Sequence, residues 1–524
     1  MNRKMAVLAA SVIMAAMPVS AFAATILVNS FVGTSDRDTR ALGIGLQPPD
    51  VNGAVGTTQF AQLQNGSFAA YDKFTGALLA PRITDSRFFI NAGGEATGGD
   101  VRIRFDATSS RWIAIGFGAT TNRLQIAVSN TADVLGTFRT VAFNALPAAA
   151  QPGGAADYPT LALTGDTVTI GTNDFFATTA GAARTFQGTT LNIINRSDLF
   201  GAGAPSIASL QSFVTPFNGG AGAERGFAIQ GVDRAPGVGT GTDVIAVALN
   251  TNELVTYNIA GGVRSSTIAL GGLNYGPNSP GRQPDLLNTG SARVVDTLDD
   301  RVSSTVYQSG NRIYALHTVT PLGQDHTVVR ISVIDATSKA LLSETDITGP
   351  DNSYDFYEGS LAVNSAGQFV VGYVRSGDST HPIDGRISIF ARSFNTNANG
   401  SITSTSGDIL IRQSPVDDYH LGSPQGQAPV GRQRFGDYSA VTLDPTDSQR
   451  FYVINQFADT FNVGPGLSGF ARFGTFIGII GVDPIGGAGG GVPEPATWAM
   501  MIAGFGFIGA AARRRRTKVQ VTYA

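Results

Sequence analysis

The 524-residue chain has no cysteine, four histidines, two tryptophans and, away from its ends, only two lysines, Lys73 and Lys339. Each shortage closes off a class of chemistry. Without cysteine there is no disulfide framework and no thiolate nucleophile. The histidines, His317, His326, His381 and His420, are scattered, and no pair has the spacing of a zinc site. Charged residues make up 14% of the chain, and the body contains no basic run, which excludes nucleic acid and anionic membrane surfaces as partners.

What is present is glycine, at 65 positions, within a chain that is 42% hydrophobic. That mixture is too apolar for disorder and too rich in glycine for a helical protein. Seven stretches repeat one pattern of apolar run, turn and alternating strand. They begin near residues 51, 101, 158, 227, 302, 358 and 438. Asn65-Gly66, Gly165-Asp166 and Gly310-Asn311 are hairpin-turn pairs inside them. Successive small antiparallel sheets with few helical periods predict an all-β chain, a β-propeller spanning residues 24–485. It has seven blades, or six if the repeat at 227 is an insertion. A pair of β-sandwiches is the alternative, but no long linker divides the chain.

The two ends read differently from the body. Residues 1–23 carry Arg3 and Lys4, an apolar run from Met5 to Met17, and Ala21-Phe22-Ala23. This is the layout of a cleaved signal peptide, so export through the Sec translocase is expected. At the other end a Gly-rich linker, 486–492, leads to Pro493-Glu494-Pro495. An uncharged stretch from Ala496 to Ala512 follows, then Arg513, Arg514, Arg515 and Arg516. Seventeen residues at about 1.5 Å each just reach across a bilayer core. Trp498 would sit at the outer interface, and the arginines would stay on the cytoplasmic side. The expectation is a single transmembrane helix tethering an exported body to the inner membrane.

The order Pro493-Glu494-Pro495, Trp498-Ala499-Met500-Met501, Gly504, Gly506 and the arginine run resembles the PEP-CTERM sorting domain, over residues 493–517. The resemblance implies an exosortase as partner and cleavage near Pro493–Pro495. By it, the helix is a transient tether and the mature protein goes to the cell surface, outer envelope or extracellular matrix. It also implies a Gram-negative source that exports polysaccharide and builds biofilm. Loss of the leader and tail removes Arg3, Lys4, Arg513 to Arg516 and Lys518, and takes the formal charge from −3 to −10.

The body resembles secreted bacterial propellers distantly akin to sialidases. The resemblance rests on Pro48-Pro49-Asp50-Val51-Asn52-Gly53-Ala54-Val55-Gly56, on Asp106 to Trp112 and on Gly436-Asp437-Tyr438-Ser439. The Asp106–Trp112 turn lacks the glycine of a sialidase Asp-box. Neither the arginine triad nor the tyrosine–glutamate pair of sialidases matches positions here, so no catalytic residue is assigned.

Aligning the repeats with one another gives one constellation. Asp50, Asp157, Asp300 and Asp437 stand four residues before corresponding strand positions, with Asp100 and Glu358 one residue out of register. In a propeller these residues crowd one mouth of the channel, where carboxylates meet sugar hydroxyls or hold Ca2+. Extracellular polysaccharide is the expected ligand. Asp also caps turns, and the body holds 33 Asp against five Glu, so turn capping accounts for many of them. Two functions follow: a non-enzymatic binding or structural protein of the envelope or matrix, or a secreted glycan-active hydrolase using the mouth carboxylates. Trp112 is a core anchor or a sugar platform. The stretch Gly377-Asp378-Ser379-Thr380-His381 reads as a polar loop, because no nucleophile-elbow pattern surrounds it.

Overall fold

The three glycine pairs each close a two-residue hairpin. Asn65-Gly66 joins Gln59–Gln64 to Ser67–Asp72, Gly165-Asp166 joins Ala162–Thr164 to Thr167–Phe176, and Gly310-Asn311 joins Val306–Ser309 to Arg312–Pro321. Gly66, Gly165 and Gly310 have φ of +85°, +60° and +56°, in the left-handed region that glycine enters without a steric cost.

The computed structural model describes residues 25–484, except 119, 121, 147–152, 178–181, 215–226, 236, 238–242, 249–252, 259–266, 269–274, 285–293, 418, 420–432 and 463–469. The leader with Ala21 and Ala23, the linker, and the tail with Pro493, Glu494, Pro495, Trp498 and Arg513 to Arg516 lie outside the described residues. Among the described residues, no helix is long and apolar enough to cross a membrane.

The chain is mostly β. In sequence order, antiparallel strand groups follow one another among the described residues, one for each repeat. The first is Asn52–Val55, Gln59–Gln64 and Ser67–Asp72. The second is Arg102–Asp106, Arg111–Phe117, Arg123–Ser129 and Phe138–Asn144. The third runs from Ala155–Asp157 to Gln211–Val214, and the fourth from Phe227–Asp233 to Thr267–Ile268. The fifth runs from Val306–Ser309 to Leu341–Ile347, and the sixth from Tyr354–Val363 to Ile409–Arg412. The seventh is Ala440–Asp444, Asp447–Asn462 and Phe470–Gly481, completed on its outer side by the N-terminal strand Ile26–Val32. A short parallel pairing, Val232 with Val306, joins the fourth group to the fifth in one sheet.

Apolar side chains pack between neighbouring groups. Leu63 and Phe68 of the first meet Ile103 and Trp112 of the second; Ile115 and Leu124 of the second meet Leu163 and Ile170 of the third. Leu191 meets Ile229, Val232 meets Ile313, and Val329, Leu361 and Val453 link the fifth, sixth and seventh. Tyr452 and Ile477 of the seventh then meet Phe60 and Tyr71 of the first. Glycine makes the closest of these approaches. A Cβ on Gly231 would lie 1.9 Å from Thr169 Oγ1, and one on Gly372 would lie 2.3 Å from Val453 Cγ1. Flat faces this close explain why a sheet protein carries so much glycine.

Trp112 is fully buried. Its indole N–H donates to the Ala132 carbonyl at 2.8 Å, and its ring meets Phe105 edge-on at 4.9 Å. It is a core anchor. The Asp106 carboxylate accepts from the backbone N–H groups of Thr108 and Ser109. Asp72, Asp335 and Asp444 cap their turns in the same way.

Candidate functional site: an acidic mouth

In five of the strand groups a left-handed bend lies at or near the start of the first strand, and side chains at that bend converge. Asp50, Asp100 and Glu358 adopt φ of 45°, 51° and 48°, and Tyr158 and Ala228 take the same conformation at the same place in their repeats. The left-handed residue is therefore the shared slot. Asp157 stands one residue ahead of it, and Asp50 aligns with Asp100 and Glu358, not with Asp157 as the sequence offset suggested. The repeat length hides this because strand entry differs by a residue between groups.

Asp50, Asp100, Asp157 and Asp437 are brought together. Asp50 Oδ1 accepts from the Asp437 backbone N–H at 2.9 Å, and its Oδ2 accepts from Asn65 Nδ2 at 2.7 Å. The same Asn65 receives the Asp100 backbone N–H at 2.8 Å on its Oδ1, so one amide couples two carboxylate-bearing bends. Asp157 lies close enough to the Asp100 carboxyl to disfavour its charge. Burial, then repulsion from Asp157 and Asp437, pushes Asp100 up to about 7. Burial, with Asp437 and Asp100 beside it, holds Asp50 well above the carboxylate range. Glu358 is raised well above its usual value by burial first and Asp437 second. Its Oε1 accepts from Gln456 Nε2 at 2.9 Å, and its Oε2 is buried without a hydrogen-bond partner.

Asp300 is the departure. Its carboxyl, pushed up to about 6 by burial and by Asp299, faces Tyr275 rather than the cluster, and its carbonyl meets His317 Nδ1 at 2.8 Å. The next residue takes its place. Arg301 pairs with Asp299 at 2.7 Å, reaches Asp437 at 3.4 Å and lies 4.6 Å from the Tyr158 ring. Arg434 pairs with Asp437 at 2.9 Å. The cluster is thus acid-rich but partly neutralised.

Beneath the cluster the space is filled. The Arg102 guanidinium lies 3.7 Å from the Tyr438 ring and 5.2 Å from Tyr158, and its Nε donates to the Pro159 carbonyl at 2.7 Å. Tyr158 and Tyr438 meet edge-on at 5.9 Å. A ligand would meet the carboxylates without threading past this plug. Its signal was present in the sequence, since Asp157-Tyr158 and Asp437-Tyr438 repeat one dipeptide at strand entry. Among the described residues, no three His, Asp or Glu side chains are placed to hold a metal ion.

Comparison with curated protein sequences finds no match. Solved structures that align with the chain include a protein of unknown function from Dyadobacter fermentans DSM 18053, at 12% identity and a TM-score of 0.41 over 88% of this chain and 99% of that one. The Dos1 propeller aligns at 10% identity and a TM-score of 0.35, over 86% and 94% of the two chains. A sialidase from Trypanosoma rangeli aligns at 9% and 0.30, over 79% of this chain and 58% of that one. The sequence of the tail matches a family model outright: residues 491–516 carry the PEP-CTERM protein-sorting motif.

Proposed function

We propose that the chain is the precursor of an exported surface protein. Its leader is removed after Ala23, and its tail holds it in the inner membrane until exosortase cuts near Pro493–Pro495. The observation that carries this is the sorting motif at 491–516. The body between is read as a seven-bladed propeller. In this count the parallel pairing of Val232 with Val306 joins two blades, and Ile26–Val32 completes the last one. The strand at 26–32 lies against Phe470–Gly481, which supports the count.

The mature protein sits in the envelope or extracellular matrix and binds through its acidic mouth. Carboxylates suit a hydroxyl-rich neutral polysaccharide better than an acidic one. The binding reading is favoured over the hydrolase because the acidic cluster is partly neutralised by Arg301 and Arg434, which pair with Asp437.

The test is titration of the full-length chain, in detergent, with neutral glucan oligosaccharides and separately with calcium chloride, beside Asp157→Ala and Asp437→Ala variants. Binding of glucan by the unsubstituted chain, weakened at least ten-fold by both substitutions, is expected. Shortened glucans that appear with the unsubstituted chain and vanish with Asp157→Ala would instead establish the hydrolase. A calcium signal lost in the variants, with no glucan binding, would make the mouth a cation site.

A further inference from the structure

The turn at 378–385 carries a constellation that uses none of the mouth residues. It links the strands Gln368–Gly377 and Ser388–Thr396 and is fixed by its own backbone. Gly377 N–H donates to Gly385 O at 2.8 Å, and His381 N–H to Asp378 O at 3.0 Å. Gly385 N–H donates to His381 O at 2.9 Å. A Cβ on Gly385 would lie 2.6 Å from that oxygen, so the tight seat of His381 depends on glycine there. Asp378 N–H donates to Ser353 O at 3.2 Å, which ties the turn to the start of the strand Tyr354–Val363.

His381 is thereby held between two hydroxyls. Ser353 Oγ lies 2.7 Å from Nε2, and Tyr354 Oη lies 2.8 Å from Nδ1. Tyr354 Oη donates to Asp384 Oδ2 at 2.6 Å, and Asp384 Oδ1 is itself 3.5 Å from Nδ1. The tyrosine ring lies against the imidazole with centroids 4.3 Å apart. Because the tyrosine proton goes to Asp384, the oxygen facing Nδ1 accepts, which places the imidazole proton on Nδ1 and leaves Nε2 with a free lone pair. That lone pair faces the Ser353 hydroxyl. In the structure Ser353 Oγ donates to the carboxylate of Asp351, so the hydroxyl must turn from that oxygen to Nε2 before it attacks. The imidazole keeps 23% of its side-chain surface in solvent.

We propose that Ser353 is a nucleophile, with His381 as its general base and with Tyr354 and Asp384 as positioning residues, and that this site transfers acyl groups from small, exposed carboxylic esters. In the step, Oγ forms a bond to the ester carbonyl carbon and its proton passes to Nε2. The C–O bond to the alcohol then breaks, and the alcohol leaves with that proton. Water repeats the sequence on the acyl-serine, returning free acid and Ser353.

The full-length chain is treated with a fluorophosphonate probe. Oγ attacks phosphorus, fluoride leaves, and the proton goes to Nε2, so the serine gains the mass of the phosphonyl group. The adduct is mapped by peptide mass. Labelling at Ser353 is expected. Ser353→Ala abolishes it, and His381→Gln slows it at least 100-fold. The charged groups facing the imidazole are Asp384 and Asp351, the latter 4.0 Å from Nε2; Arg375 lies 4.9 Å from the Tyr354 ring. Asp384→Ala slows labelling at least ten-fold and Asp384→Asn, which keeps an acceptor for the Tyr354 hydroxyl, restores most of the rate at an unchanged denaturant midpoint, a recovery that a packing defect would not give. No adduct on Ser353 in the unsubstituted chain, or equal labelling after His381→Gln, overturns the proposal and leaves the reading of the mouth untouched.

Discussion

Replacing Lys73 by alanine is expected to destabilise the body by about 3–5 kcal/mol, the cost of leaving a partner charge buried alone. Lys73 and Asp444 are both fully buried, and Nζ lies 2.9 Å from each carboxylate oxygen and 2.8 Å from Thr446 Oγ1. The pair joins the end of the first strand group to the first hairpin of the seventh, beside the Tyr452 hydroxyl that donates to Lys73 O at 3.1 Å. It therefore fastens the beginning of the chain to its end. Lys73→Met combined with Asp444→Asn removes both charges, keeps an acceptor for the turn at 446, and is expected to recover most of the loss. Denaturant midpoints of the three proteins measure this. A loss below about 1 kcal/mol for Lys73→Ala, the scale of an exposed ion pair, would mean that water reaches Asp444.

The second large effect is a stability that falls as pH rises from about 4 to 7. Asp174 is fully buried in the strand Thr167–Phe176, with Thr172 Oγ1 donating to it at 2.9 Å and Thr190 Oγ1 at 2.6 Å, and burial pushes it up to about 7. The folded chain keeps this proton up to about pH 7, whereas the unfolded chain releases it near pH 4. Between those values the folded state binds more protons, so the contribution is complete below the unfolded value and lost by the folded one. Asp100, about 7, and Asp300, about 6, act in the same direction. His317, pushed down to about 4 by burial, opposes them, losing stability as pH falls from about 6.5. Asp174→Asn isolates one group, since the amide stays neutral and can still donate to a threonine hydroxyl. Its advantage over the unsubstituted chain is expected to grow by roughly 2–3 kcal/mol between pH 5 and pH 8. Denaturation at the two pH values decides it; an equal difference at both would mean that Asp174 is ionised throughout.

The body was legible where structure is local. Turn pairs such as Gly310-Asn311 fix hairpins through φ alone. Aspartates at strand entry could be picked out by repeat alignment because Asp50 and Asp100 occupy one left-handed bend and Asp157 stands one residue before it. What could not be read is pairing across the length of the chain. Ile26–Val32 has a weak apolar pattern, with Ile26 and Val32 more than half exposed, and its partner Phe470–Gly481 lies at the far end. Lys73 and Asp444 each look like surface residues until those ends meet. The Arg301 substitution for Asp300 at the mouth depends on which of two neighbours points inward, and that alternation is set by the bend rather than by spacing. The sequence places Ser379 beside His381 in one loop, whereas the serine that His381 faces is Ser353, in the turn before the strand Tyr354–Val363.

The central claim is that the chain is made to be exported and then released from its tail. The measurement that tests it most directly is the intact mass of the protein recovered from cell surface and medium, with its C-terminal peptide sequenced. The account predicts a product that begins near Ala24 and ends close to Pro493–Pro495, with any added mass there belonging to whatever the new terminus is attached to. Recovery of a chain that still ends at Ala524 would contradict it, making the apolar stretch a permanent anchor.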